Sequence, residues 1–442
     1  MQCTRQIRNR HLPGALVAVC GLLSCAATNC GNDADRPTSS SPDAQSEEVP
    51  RDAGIDEEPP PDASSRDAEP FDPSVPAIEC AAPDSCATSL TATSDVGTAQ
   101  TFCALLHDGT VACWGANNEG QLGRGAEAGY ADSATPMRVT GLSNVVALER
   151  TCAVDADGAT YCWGRGPYMN ESDYPTMEPT PVKLPIPPAK KVSVSSEVGC
   201  AIVEESVVCW GYNINEQVAR WDGQNRGAWL PPNPVALPPG KKPRAISVGN
   251  ASLVILEDGS TVSWGATPPA GRATSRFPDG VPQPIAIAGI TTSIHVDIDN
   301  ACAAAGGIAY CWGAARPIGQ VVNLSRALPA PVPAPEPLRQ VSTMRRYDAP
   351  NRWCAVGVSG AVYCWGYNAS GQAGDGTKDH AYDAVKVMGL PAPAVEVKVA
   401  LDATCALLTN GKVHCWGSNY YGQLGTGQFR VASVTPQEVL LP

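Results

Sequence analysis

A seven-bladed β-propeller is the all-β fold this sequence predicts, and three observations predict it. A hairpin motif occurs seven times: Cys, an apolar run, a turn usually ending in Gly, a second run, then Cys-Trp-Gly. The tryptophans of these copies, Trp114, Trp163, Trp210, Trp264, Trp312, Trp365 and Trp416, stand 47 to 54 residues apart. A period near 50 residues built of short strands signifies one four-stranded blade per repeat. Finally, 42 Gly and 41 Pro among 442 residues punctuate turns and interrupt helices, which excludes a mainly helical chain.

The chain begins with Arg5, Arg8 and Arg10 and no acid, followed by a short apolar run from Leu12 to Leu23. This is the pattern of a signal peptide over residues 1–24, too short for a stable membrane-spanning helix. Its end, Leu22-Leu23-Ser24-Cys25, resembles a bacterial lipobox, which implies cleavage behind Ser24 and a lipid on Cys25. The expected location is the cell envelope, as an outer-membrane-anchored lipoprotein or an extracellular protein. Eighteen Cys against five His agree with an oxidising compartment.

Residues 25–79 read as a tether. From 31 to 79 the chain carries eight Asp and six Glu against three Arg, with nine Pro and Phe71 as its large apolar residue. Such a composition buries too little surface to offset chain entropy. It also holds most of the net charge of −13, so the remainder is only mildly acidic and lacks the basic footprint of a nucleic-acid binder. No later stretch is long and apolar enough to span a bilayer.

The propeller is expected over residues 80–442. Cys80 and Cys86 suit a short bridge, which leaves Cys30 unpaired. In the first hairpin, pairing Cys103 directly across from Cys113 puts His107, Asp108 and Gly109 in a three-residue loop whose third position suits left-handed Gly. The same construction places Gly158, Gly259, Gly360 and Gly411 third in their loops, while two shorter copies turn on Gly306-Gly307 and Glu204-Glu205. Gly-Gly suits a two-residue turn and Glu-Glu does not. Directly opposed Cys lie within bridging distance, about 4.5 to 5.5 Å between Cα atoms. The predicted disulfides are Cys103 with Cys113, Cys152 with Cys162, Cys200 with Cys209, Cys302 with Cys311, Cys354 with Cys364, and Cys405 with Cys415. In the fourth copy Leu253 and Ser263 replace both partners together, as a pair should be lost. No C-x2-C spacing offers a zinc site.

Two outer elements recur between hairpins. One follows Trp-Gly, as A-N-N-E-G-Q-L-G from Ala116, Y-N-A-S-G-Q-A-G from Tyr367 and S-N-Y-Y-G-Q-L-G from Ser418. The other is a Pro-led strand, such as T-P-M-R-V from Thr135 and T-P-Q-E-V from Thr435. Together with D-G-x-V-x-x-W-G, these motifs resemble the repeats of the regulator of chromosome condensation family, over about residues 88–442. The resemblance implies a seven-bladed ring closed by pairing of the N- and C-terminal segments. The prototype's exchange-factor activity on a nuclear GTPase does not suit a chain with a signal peptide and disulfides. A secreted bacterial propeller with the same repeat inhibits β-lactamases through one loop face, which shows what the scaffold can do.

Function is less legible, because a fold does not fix it. The repeated Trp suit blade-to-blade packing. Asp155-Ala156-Asp157-Gly158 lacks the remaining positions of a calcium loop, and His107, His295, His380 and His414 face no candidate nucleophile. The expectation is therefore a binding module for a protein or surface polymer, monomeric, with no cofactor, no metal and no nucleic acid, and not an enzyme. A hydrolase with a site in the central funnel is the first rival, and a purely structural envelope protein the second. Trp, Tyr and Arg are enriched at binding hot spots. The candidate binding residues are accordingly Trp353 with Arg345 and Tyr347, on the rim formed by loops before each hairpin, and Trp221 with Trp229 in the insertion of blade 3.

Overall fold

The structure, a computed structural model, describes residues 71–81, 85–94, 99–168, 176–313, 326–345 and 351–442. The signal peptide, Cys25, Cys30, most of the tether and Tyr347 lie outside these residues.

Seven antiparallel sheets of four consecutive strands make the blades: 87–138, 145–183, 191–235, 243–284, 291–332, 338–386 and 394–438. Within each blade the chain steps outward, and the Cys-to-Cys hairpin forms the two middle strands. The register is the expected one, with Cys103 opposite Cys113 and Cys354 opposite Cys364. Leu106 N donates to Thr110 O, and hydrogen-bonded pairs alternate from there, so each such Cys pair occupies a non-hydrogen-bonded site. That is the closer kind of pair. Cα separations are 4.0 to 4.2 Å in the six hairpin disulfides, below the expected span. Cys80 is bonded to Cys86, and in blade 4 Leu253 stands opposite Ser263.

Turn chemistry follows the sequence. Gly109, Gly158, Gly259, Gly360 and Gly411 all have φ between 73° and 81°, and Gly306 and Gly307 are both left-handed. At the exception, Glu204 takes φ 52°, and Ser206 Oγ donates to Val203 O across the turn at 3.0 Å.

The Pro-led strands are the outer edges of their own blades. Cys415 pairs with Gln437 and Cys113 with Met137. A missing ladder donor is tolerated on an edge, which is where Pro belongs. This corrects the expected closure: among the described residues no sheet combines strands from the two chain ends, because the final Pro-led strand completes blade 7 and residues 87–94 supply the inner strand of blade 1. The ring closes by packing. Trp114 Nε1 donates to Gln423 O at 3.0 Å, and Asp402 N to Gln100 Oε1 at 2.8 Å.

The same indole bond recurs between blades. Trp163 donates to Gln121 O, Trp210 to Pro167 O, Trp264 to Gln217 O, Trp312 to Pro269 O and Trp416 to Gln372 O, all at 2.7 to 2.9 Å. Each Trp thus fills an inter-blade core and satisfies its N–H on the neighbour. The Asn of N-x-x-G-Q holds the acceptor loop in place: Asn117 Oδ1 accepts Leu122 N, and Asn419 Oδ1 accepts Leu424 N, both at 2.9 Å.

Two faces result. The loop face carries the links between first and second strands and between third and fourth; the turn face carries the hairpin turns and the links between blades. Residues 71–81 and 85–86 lie on the turn face. Phe71 covers Gly307 in blade 5, where an added Cβ would come within 3.1 Å of its ring. Ile78 packs against the core shared by blades 7 and 1, and Glu79 N donates to Thr409 O at 2.7 Å. The end of the expected tether, 71–79, is therefore part of the propeller's surface layer.

Candidate functional site

The innermost strands are stitched to one another by side chains. Ser193 Oγ accepts Val248 N, Ser247 Oγ accepts Val296 N, and Ser342 Oγ accepts Val399 N, at 3.0 to 3.1 Å. Larger groups take the same role elsewhere: His295 Nδ1 accepts Thr343 N at 3.1 Å, Asp297 Oδ2 accepts Arg345 N at 2.8 Å, and Glu396 Oε2 accepts Leu90 N at 2.9 Å. Alternation along each strand turns these residues toward the channel or the adjoining blade.

Charge consequently gathers around the axis. Arg150 Nη2 lies 3.3 Å from Asp297 Oδ1, Lys398 Nζ lies 3.0 Å from Glu396 Oε1, and Arg345 pairs with Asp299. Burial pushes the Asp297 carboxyl up, against the pull of Arg150. Burial also opposes the charge of Lys398, but Glu396 and Glu149 outweigh it and hold the ammonium above its ordinary value. His295 is driven down to about 3 by burial and by the positive charges of Lys398 and Arg150. A neutral imidazole is what its acceptor role requires.

On the loop face the channel opens into a polar pocket lined by Glu119, Arg150, Arg165, Ser195, Asn250 and Ile298, among others. Arg165 pairs with Glu119 at 3.1 Å. Two of the lining residues, Arg150 (φ 50°) and Ile298 (φ 32°), are left-handed without being glycine. Such conformations cost on the order of 1–3 kcal/mol each and persist where the surroundings over-determine them. Here Ile298 O is fixed by Asn250 N at 3.0 Å and Arg150 N by Thr91 Oγ1 at 2.5 Å. The pocket can supply fixed donors and acceptors to a polar ligand, on a rim that packing holds rigid.

The candidate residues from the sequence are dispersed. Trp353 stands directly opposite Trp365 and stacks on it, with 6.2 Å between ring centroids. It is half-buried against the blade 6 core, as Phe102 is stacked on Trp114 in blade 1. The site opposite the repeat Trp is thus a packing site, and the candidate binding residue Trp353 fills it in blade 6. Arg352 beside it is 1% exposed and donates to Ala400 O, Ala403 O and Gln372 O of blades 6 and 7. Arg345 N donates to Asp297 Oδ2, a lining residue, and its guanidinium pairs with Asp299. Trp229 pairs across strands with Tyr212, their rings 5.6 Å apart, while Trp221 stands clear in the loop. Glu149, His295, Asp297, Glu396 and Lys398 escaped the sequence reading. Their signal was available in S-I-H-V-D and E-V-K, where polar residues alternate just ahead of a hairpin.

A regulator of chromosome condensation (RCC1) repeat model matches residues 108–154, and a second of that description matches 401–423. The protein is a seven-bladed propeller that carries RCC1 repeats at these two places. Its fold matches that of human WBSCR16 at a TM-score of 0.57 and 17% identity, over 75% of this chain and 95% of that one. Yeast RCC1 (Prp20) bound to Kap60 gives a TM-score of 0.61 at 16% identity, covering 78% and 84% of the two chains. Prp20p from Saccharomyces cerevisiae, in a structure described with its binding properties to Gsp1p and histones, gives 0.59 at 18%, covering 78% and 86%. At these identities the likeness extends to the fold of the RCC1-repeat propeller alone. Among the described residues no helix is long and apolar enough to cross a membrane.

Proposed function

We propose that this RCC1-repeat propeller is an extracytoplasmic binding module that presents its loop face to a protein or surface polymer, tethered through a lipid on Cys25. The observation that carries the reading is that residues 71–81 and 85–86 lie over the turn face, with Phe71 on blade 5 and Cys86 beside Gly411 of blade 7, and leave the loop face, with its polar channel mouth, uncovered. Binding is favoured over hydrolysis because the buried polar groups around the axis are already engaged: His295, Asp297 and Glu396 each accept a backbone N–H from the next blade. The named partners of the yeast relative, Kap60, Gsp1p and histones, show proteins as ligands of that propeller.

The test places a photo-crosslinking residue at exposed Ser196 on the loop face or at exposed Asn410 on the turn face of the full chain in intact cells. Adducts from Ser196 and none from Asn410 are expected; the reverse pattern overturns the reading. Mass spectrometry of the mature amino terminus checks the anchor, expected as an acylated Cys25, and an unmodified terminus elsewhere removes it.

A further inference from the structure

In blade 3 the connection between third and fourth strands, on the loop face, presents one large aromatic to solvent. Trp221 is 57% exposed, and Arg220, Asp222, Gly223, Gln224 and Arg226 around it are exposed as well. The loop is held from within. Asn213 Nδ2 donates to Ala219 O at 2.9 Å, and Asn225 Nδ2 to Arg220 O at 2.8 Å. The Asp222 carboxylate accepts Gln224 N and Asn225 N, both at 2.9 Å.

That last arrangement matters for charge. Asp222 spends its carboxylate on the backbone of its own turn, and Arg220 and Arg226 form no ion pair among the described residues. A pre-ordered loop thus offers an indole and two guanidinium groups without a carboxylate partner, in a chain whose net charge is −13. The missing partner is an anion. Protein hot spots sit inside a rim that excludes water, whereas the exposed residues next to Trp221, from Arg220 to Arg226, are polar or Gly, and the exposed apolar Ile214 lies earlier in the connection. A sugar ring suits such a platform better: its C–H face covers the indole, its hydroxyls stay bonded to Gln224 and water, and carboxylates on the sugar meet guanidinium bidentately.

We propose that this loop binds a uronate-bearing polysaccharide, with Trp221 stacked on a sugar ring and Arg220 and Arg226 pairing with its carboxylates. The proposal rests on the loop face being the presented one and gives its ligand a class. The test is affinity electrophoresis of the full chain in gels containing polygalacturonate or neutral dextran. Retardation is expected in polygalacturonate alone. Trp221→Ala should weaken it by about tenfold or more, and the double change Arg220→Ala with Arg226→Ala should weaken it and flatten its dependence on salt. An unchanged melting temperature establishes that these exposed substitutions leave the fold intact. Absence of retardation, equal retardation in dextran, or full binding by Trp221→Ala overturns the proposal. So does a protein ligand that needs Trp221 when polygalacturonate does not bind. If polygalacturonate fails while Ser196 still yields adducts, the ligand class falls and the loop-face reading stands; if Ser196 yields none, the reading beneath it falls.

Discussion

Single side chains at the blade junctions decide how firmly the ring holds, and Arg352 is the clearest case. Its Nη1 reaches Ala400 O and Ala403 O at 2.8 and 2.9 Å, its Nη2 reaches Gln372 O at 3.0 Å, and it also bonds Thr404. Arg352→Ala leaves Ala400 O unpaired and takes one of several donors from Gln372 O and Ala403 O, which keep Trp416 Nε1 and Ala400 N, so a loss of about 2 kcal/mol is expected in urea unfolding. Arg352→Lys should recover little, because a point charge cannot reproduce the planar fork. His295 adds a pH dependence. Its folded value of about 3 lies below the ordinary 6.5, so between these the unfolded chain binds the extra proton and stability falls as the pH is lowered through that window. Above about 6.5 the contribution is complete. Arg150, in the link between the first two strands of blade 2, and Lys398, on the inner strand of blade 7, oppose protonation, while Asp297 on the same strand as His295 is paired with Arg150. His295→Asn keeps a neutral acceptor for Thr343 N. The expected outcome is a shallower loss of Tm between pH 6.5 and 3 than in the unaltered chain.

Within an element, turn geometry and cross-links can be separated. Gly360 and Gly141 both have positive φ, but a Cβ on Gly360 would come within 2.8 Å of Pro393 Cα, whereas one on Gly141 meets nothing within 4 Å. Gly141→Ala should therefore cost about 1–2 kcal/mol from backbone strain alone, and Gly360→Ala distinctly more, as read from denaturation midpoints. The hairpin disulfides close loops of about 10 residues, worth roughly 2 to 3 kcal/mol each in the chain-entropy account. Blade 4 shows that a hairpin can do without one. There Ser263 Oγ instead donates to Ala270 O and accepts from Arg272 Nε, and Arg272 pairs with Asp279 at 2.7 Å. Leu253→Cys with Ser263→Cys places two thiols in the disulfide register. The pair should oxidise, visible as a mass resistant to alkylation, but stabilise by less than the other bridges because the Arg272 network loses its centre.

At the scale of the molecule, closure without a shared sheet makes residues 71–81 and 85–86 a clasp. They touch blades 5, 7 and 1, and His107 N donates to Cys86 O while Ala87 N donates to Gly411 O, at 2.8 and 2.9 Å. Phe71→Ala with Ile78→Ala should loosen the junction between first and last blades before the others. Hydrogen exchange of the Trp114 indole, bonded to Gln423 O, is expected to accelerate several-fold while that of Trp264 stays unchanged, since opening is local where few contacts hold it. Equal rates at both indoles would show that blade packing alone closes the ring.

The sequence by itself determined the blade: repeat period, hairpin register, the Gly third in each loop and the paired loss of Leu253 and Ser263 are local facts, fixed by strand alternation and turn sterics within about a dozen residues. It also placed Trp221 in an exposed insertion, because polar, Gly-rich composition reports exposure directly. Tertiary structure decided what depends on distance through space. Nothing local in the sequence marks Arg352 as a buried strut or pairs Trp353 with Trp365, because it is blade 7 and the neighbouring strand that cover them. His295, Asp297, Glu396 and Lys398 come from strands about 100 residues apart, and only the circular arrangement of blades sets them around one axis. Closure was misread for the same reason. A Pro-led strand has the same local chemistry whether it ends one blade or begins the next, and only its hydrogen-bonded partner distinguishes the two.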